Sequence, residues 1–148
     1  MSLHNENSLL FLLFKIQKLL FAKSNELFEK VNLHPGQPPL LFILHNHEGI
    51  TQKELAEKLN VTPPTVAVMI RRMEKYELIE KKHDKNDRRI YRVYLSKKGR
   101  EMIKELHKIF KELEIVVFEN FDNEEKETLR NFLNKVVSNI EMSLERRK

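Results

Sequence analysis

A mainly α-helical fold with one small β-hairpin is predicted for this 148-residue chain by three features of its sequence. First, the segments from Thr51 and from Thr62 each open on a helix-capping residue and continue with apolar residues at helical spacing. Second, two strand-like runs, from Leu78 and from Ile90, enclose the all-polar stretch His83–Arg89. Third, both ends of the chain carry long, strongly apolar helical patterns. Helix, turn, helix and then a hairpin with a basic tip is the layout of a winged helix-turn-helix. The terminal helices add a helical dimerisation bundle. In such a unit the second helix fits a DNA major groove and the hairpin tip reaches the adjacent minor groove.

The elements follow in order. A helix is predicted over about 7–31, where Leu9, Leu10, Leu12, Leu13, Phe14, Ile16, Leu19, Leu20, Leu27 and Phe28 cover more than one face. A helix apolar nearly all round in so small a chain calls for a partner subunit. His34-Pro35-Gly36 and Pro38-Pro39 break the pattern. A second helix then carries Leu40, Leu41, Ile43 and Leu44 and is expected to end near Gly49. Thr51 and Glu54 form a capping box, Leu55, Ala56 and Leu59 give that short helix its inner face, and Asn60 and Val61 make the turn. Thr62 caps the next helix, and Pro63 suits a first turn that needs no N–H. Val66, Met69, Ile70 and Met73 form its buried stripe, from which Thr65, Val68, Arg71 and Arg72 fall away.

Leu78 and Ile79 begin one strand, and Tyr91, Val93 and Leu95 alternate with Ile90, Arg92 and Tyr94 in the other. Asp84, Asn86 and Asp87 are turn formers between them. Ser96 caps a long helix with Met102, Ile103, Leu106, Ile109, Phe110, Leu113, Val116 and Val117 on one face. Asp122 and Glu125 open the last helix, which carries Leu129, Phe132, Leu133, Val136, Val137, Ile140 and Leu144. Residues 7–31 and 97–147 are thus assigned to a helical dimerisation region and 36–96 to the winged helix-turn-helix, in one compact domain overall. Burying each Leu or Phe side chain contributes about 1.5–3 kcal/mol. A dozen left half-exposed would favour aggregation, so a two-fold homodimer is expected.

Composition narrows the function classes. The formal net charge is +5, which permits a polyanionic partner without locating it. Cysteine is absent, which excludes disulfides, zinc-thiolate sites and thiol redox switches. The apolar run Leu9–Phe14 is interrupted by Lys15 and Lys18, too soon to span a bilayer, and no signal-peptide pattern surrounds it. A cytoplasmic protein with no membrane partner is expected. No glycine-rich phosphate loop or nucleophile motif is present, so an enzyme is not expected.

The residues TQKELAEKLNVTPPTV, RMEKYELIEK and DKNDRRIYRVYLSKKG, from Thr51 through Gly99, resemble the MarR (multiple antibiotic resistance regulator) family. Asp-Arg-Arg at the loop tip, followed by a strand and Leu-Ser-x-Lys-Gly, is the most family-specific part, and the flanking helices fit as well. The resemblance implies a triangular dimer joined through its terminal helices. It further implies binding to a pseudo-palindromic operator in double-stranded DNA, usually as a repressor released by a small-molecule effector. It also implies an effector pocket between bundle and winged helix, to which no residues are assigned. The chain departs from the family at Ala67 and Val68, where relatives often carry polar or basic residues. The operator sequence therefore does not carry over.

Candidate DNA contacts follow from both lines of reasoning. On the reading helix they are Thr62, Pro64, Thr65, Ala67, Val68, Arg71 and Arg72: the helix start offers N–H groups and hydroxyls to phosphate, the apolar pair can touch thymine methyls, and the arginines can hold guanine or phosphate. On the wing they are Asp87, Arg88 and Arg89, with an arginine in the minor groove and Asp87 orienting it. Thr51 and Gln52 can hold the DNA backbone. His34, His45, His47 and His107 invite a metal reading, but Lys111 stands where the His-x-x-x-His pair of zinc-sensing relatives would place its second histidine, so no metal and no cofactor are expected. The rival reading is a winged-helix protein-interaction module that binds an acidic protein surface instead of an operator.

Overall fold

The computed structural model describes residues 5–147. Its elements are α1 (Leu9–Glu29), α2 (Gln37–Asn46), β1 (Ile50–Thr51), α3 (Gln52–Leu59), α4 (Pro63–Lys75), β2 (Ile79–His83), β3 (Tyr91–Leu95), α5 (Lys97–Val117) and α6 (Asn123–Glu145). The chain divides between Lys111 and Glu112 into two compact units.

The first unit holds the winged helix-turn-helix. Leu40, Leu41 and Leu44 of α2, Leu55 of α3, Val66 and Ile70 of α4, Val93 of β3 and Leu106 of α5 are fully buried and form its core. Local chemistry sets the helix starts. Ser8 caps α1 through the Phe11 N–H at 3.1 Å, and Thr51 and Glu54 close a complete capping box on α3 at 3.2 and 3.0 Å. Asn60 takes the left-handed conformation (φ 53°) that ends α3 and turns the chain toward α4.

Four details differ from the sequence reading. The sheet has three strands in the order β1-β3-β2, where the sequence predicts two. The extra strand, Ile50–Thr51, pairs antiparallel with Val93 and Arg92, and two residues are too few to show a period of two. α2 ends at Asn46 because His47 leaves helical geometry (φ −139°) and Gly49 turns the chain at φ +80°. His83, expected in the loop, completes β2 opposite Tyr91. Met69 is only half-buried, since it lines a surface groove of about 570 Å3 together with His34, Leu40, Met73 and Tyr76.

Gly99 shows why the strand-to-helix junction after β3 needs a glycine. A Cβ there would lie 2.1 Å from the Leu78 carbonyl oxygen, closer than any side chain permits. Of α1, only Leu27 and Phe28 are buried, while Leu9 is 82% exposed and Phe14 and Phe21 are exposed as well.

The second unit consists of the end of α5, a turn and α6. Phe118 and Phe121 stack edge to face at 5.8 Å across the turn, and Asp122 with Glu125 forms the capping box of α6. No residue of α6 is buried, and Phe132, Leu133, Val137, Ile140 and Leu144 are exposed.

Candidate nucleic-acid interface

α4 is held from beneath and at both ends. Val66, Ile70 and Met73 anchor its inner face in the core. At its start the Thr62 hydroxyl accepts from the Thr65 N–H at 3.4 Å and pairs with the Thr65 hydroxyl at 2.9 Å, and Pro63 and Pro64 fill the first turn. At its end three contacts tie the carbonyls of the departing chain to the start of α5. Lys98 Nζ donates to the Tyr76 carbonyl at 2.9 Å, Ser96 Oγ to that of Glu77 at 2.5 Å and the Ser96 N–H to that of Leu78 at 3.0 Å. The helix's own last carbonyls are taken locally, that of Glu74 by the Glu77 N–H at 2.9 Å and that of Met73 by the Leu78 N–H at 3.0 Å. Pro64, Thr65, Val68, Arg71 and Arg72 stand on the exposed side, and Ala67 is half-buried beside them.

The tip of the wing has the opposite construction, with no buried residue from 84 to 90. Asp84 organises the loop: one carboxylate oxygen accepts the N–H groups of Asn86 and Asp87, each at 3.0 Å, and the other accepts Arg92 Nε at 2.5 Å. A further Arg92 nitrogen donates to the Gly49 carbonyl at 2.8 Å, tying the loop and β3 to the turn that precedes α3. The Asp84 N–H donates to the Ile90 carbonyl at 2.9 Å, and His83 Nδ1 hydrogen-bonds the Arg88 carbonyl at 2.7 Å while its ring lies 4.4 Å from that of Tyr91. These bonds hold the Asp84 carboxyl below the ordinary aspartate range, Arg92 first and the two backbone N–H groups after it.

Asp87 then aims Arg89. Its carboxylate takes Arg89 Nε at 3.0 Å on one oxygen and an Nη at 3.1 Å on the other, in a two-pronged fork, and also accepts the Arg89 N–H at 3.0 Å. The Arg89 side chain nevertheless remains 90% exposed. The fork uses one edge of the guanidinium, so the remaining N–H groups face solvent in a fixed plane. The Asp87 carboxyl is correspondingly lowered and the Arg89 guanidinium raised, each chiefly by the other. Arg88 is exposed at the same tip.

Thr51 and Gln52 stand half-buried at the start of α3. The capping box takes the Thr51 N–H, and that N–H first and the Thr51 hydroxyl after it hold the Glu54 carboxyl below the ordinary glutamate range. Sequence reasoning places Arg92 only in the strand alternation and Asp84 only among the turn formers. The carbonyl that Arg92 holds lies 43 residues earlier in the chain, and no local pattern reports such a pairing. The rings of His45 and His107 lie 6.3 Å apart. Among the described residues no group of three or more metal-binding side chains converges, and no helix is long and apolar enough to cross a membrane.

The three-stranded sheet, the capped helix pair and the arginine-bearing hairpin define a winged helix-turn-helix protein. Residues 33–91 match the sequence profile of the MarR family. The uncharacterized HTH-type transcriptional regulator YybA of Bacillus subtilis (strain 168) is 31% identical over 130 residues, 88% of this chain and 87% of that protein. Among solved structures, a MarR transcriptional regulator from Methanosarcina mazei Go1 superposes with a TM-score of 0.73 at 26% identity, covering 86% of this chain and 95% of that one. The S. aureus MepR–DNA complex gives a TM-score of 0.76 at 27% identity, covering 89% and 98%. The chain belongs to the MarR family of transcriptional regulators.

Proposed function

We propose that this regulator acts as a homodimer on a pseudo-palindromic operator in double-stranded DNA, with α4 in the major groove and the wing in the adjacent minor groove. The observation that carries the reading is Arg89, a guanidinium held rigid by Asp87 yet 90% exposed at the hairpin tip. A surface ion pair gains little stability from such geometry, whereas an arginine fixed in advance suits the strong negative potential of a narrow minor groove. Thr62, Pro64, Thr65, Ala67, Val68, Arg71 and Arg72 form the major-groove surface, Asp87, Arg88 and Arg89 the minor-groove surface, and Thr51 and Gln52 hold phosphate.

The apolar faces of α1 and α6, exposed in a single copy, support the dimer. Two copies joined through them would place two reading helices on one face of the duplex, with half-sites about 10 base pairs apart. Regulation is by repression, relieved when a small-molecule effector shifts the dimer toward a spacing that no longer fits the operator. The test is a footprint across the promoter beside its own gene, combined with affinity measured against salt. A protected two-fold site and a steep linear fall of log affinity with log salt support the reading. A monomer that ignores every duplex at low ionic strength overturns it, and a salt-insensitive protein partner would favour the interaction-module alternative.

A further inference from the structure

The leading half of α4 presents almost no hydrogen-bonding group to a groove. Thr62 and Thr65 are its only side chains with polar atoms before Arg71, and their hydroxyls are paired with each other at 2.9 Å while Thr62 also caps the helix. Pro63 and Pro64 have no N–H. Past them the outward row is Val68, 38% exposed at mid-helix with Ala67 alongside, and only after it come Arg71 and Arg72. Valine is a poorer helix former than alanine, so helix propensity gives no reason for it at this partly exposed position. Yet of the groups a major groove displays, one is apolar, the 5-methyl of thymine.

We infer that Val68 is a specificity-determining residue that packs on a thymine 5-methyl, so that each half-site carries an obligatory thymine read by shape rather than by hydrogen bonding. This rests on the DNA-reading function proposed above and adds the feature of the operator that is read. It also accounts for the departure at 67–68: the arginines hold the trailing half of the helix while the apolar pair selects the methyl.

The experiment begins with selection of duplexes bound by the full chain from a random pool. Each thymine of the selected half-site is then replaced in turn by uracil, which pairs identically and lacks the methyl. One position per half-site is expected to weaken binding about fourfold, the effect of one buried methyl group, and about fifteenfold when both half-sites are changed. At that position 5-methylcytosine, paired with guanine, is expected to bind more tightly than cytosine. Val68→Ala, which raises helix propensity and so keeps the fold, is expected to bind the thymine and uracil duplexes equally. A selected site indifferent to every methyl, or a methyl effect of equal size in Val68→Ala, overturns the inference while leaving DNA binding intact. Failure to select any duplex overturns both.

Discussion

The two reading surfaces of this protein are built by opposite means. α4 rests on apolar packing, with Val66, Ile70 and Met73 buried beneath it, and its cap is a short-range hydroxyl pair. The wing rests on charge-assisted hydrogen bonds, Arg92 to Asp84 and Arg89 to Asp87, all partly open to water. Apolar burial stabilises the whole fold, because the same side chains complete the core. Exposed ionic pairs add little stability, but they fix direction. Changes beneath α4 should therefore act on folding, and changes at the wing tip, beyond the buried Val93 and Leu95 of β3, on affinity alone.

The largest expected effect tests the first half of that contrast. Ile70 is fully buried, so Ile70→Ala removes core volume and leaves a cavity. A loss of about 2–5 kcal/mol of stability is expected, seen as a lower midpoint in denaturant melts. A melt unchanged from the parent would show that α4 is not anchored by its inner face.

The second test strips the wing of its point. Arg89→Ala is expected to weaken operator binding at least tenfold, about 1.4 kcal/mol, in a gel-shift titration. Its melting temperature should stay near that of the parent, because an exposed ion pair contributes so little. Equal affinity would remove the wing from the mechanism. A large fall in melting temperature would mean that the Asp87–Arg89 fork is part of the core structure.

The third test asks what Arg92 does. If it acts through the loop, Arg92→Leu weakens binding about threefold to fivefold in the parent and hardly at all in Arg89→Ala, a coupling that a double-mutant cycle measures. If instead Arg92 itself touches phosphate, the two losses add and the salt slope falls by about one. Arg92→Lys is expected to rescue only in part, since a lysine cannot reach both the Asp84 carboxylate and the Gly49 carbonyl with a planar fork.

The same contrast explains what could be read from the sequence. Helix starts were legible because their chemistry is local: Thr51 with Glu54, Thr62 with Thr65 and Asp122 with Glu125 each act over three residues. The inner face of α4 was legible because its period is helical, although Met69 belongs to a groove that no period announces. β1 was missed because its pairing with β3 lies some forty residues along the chain and spans only Ile50 and Thr51. The Arg92–Gly49 bond was missed for the same reason. Asp87 and Arg89 were visible as a motif, but only the folded loop shows one carboxylate gripping a single edge of the guanidinium.

The smallest expected effect concerns pH, and its sign follows from the direction of the shifts. Asp84 and Asp87 are both lowered in the folded wing, Asp84 chiefly by the Arg92 hydrogen bond and Asp87 chiefly by that of Arg89. A depressed carboxyl contributes its stabilisation above its unfolded value, about 3.9, and loses it as pH falls through the lower folded value. The ionic scaffold of the wing is therefore fully formed from pH 5 to pH 8 and does not titrate there. Side-chain carboxyl carbon shifts followed by NMR should place both midpoints below about 3.9 in the parent. Arg92→Leu should move Asp84 upward only part of the way, because the Asn86 and Asp87 N–H groups still hold its other oxygen. Arg89→Ala should move Asp87 upward and leave Asp84 in place. If both carboxyls titrate at the ordinary value in the parent, the forks do not persist in solution, and the wing is a mobile loop rather than a pre-aimed arginine.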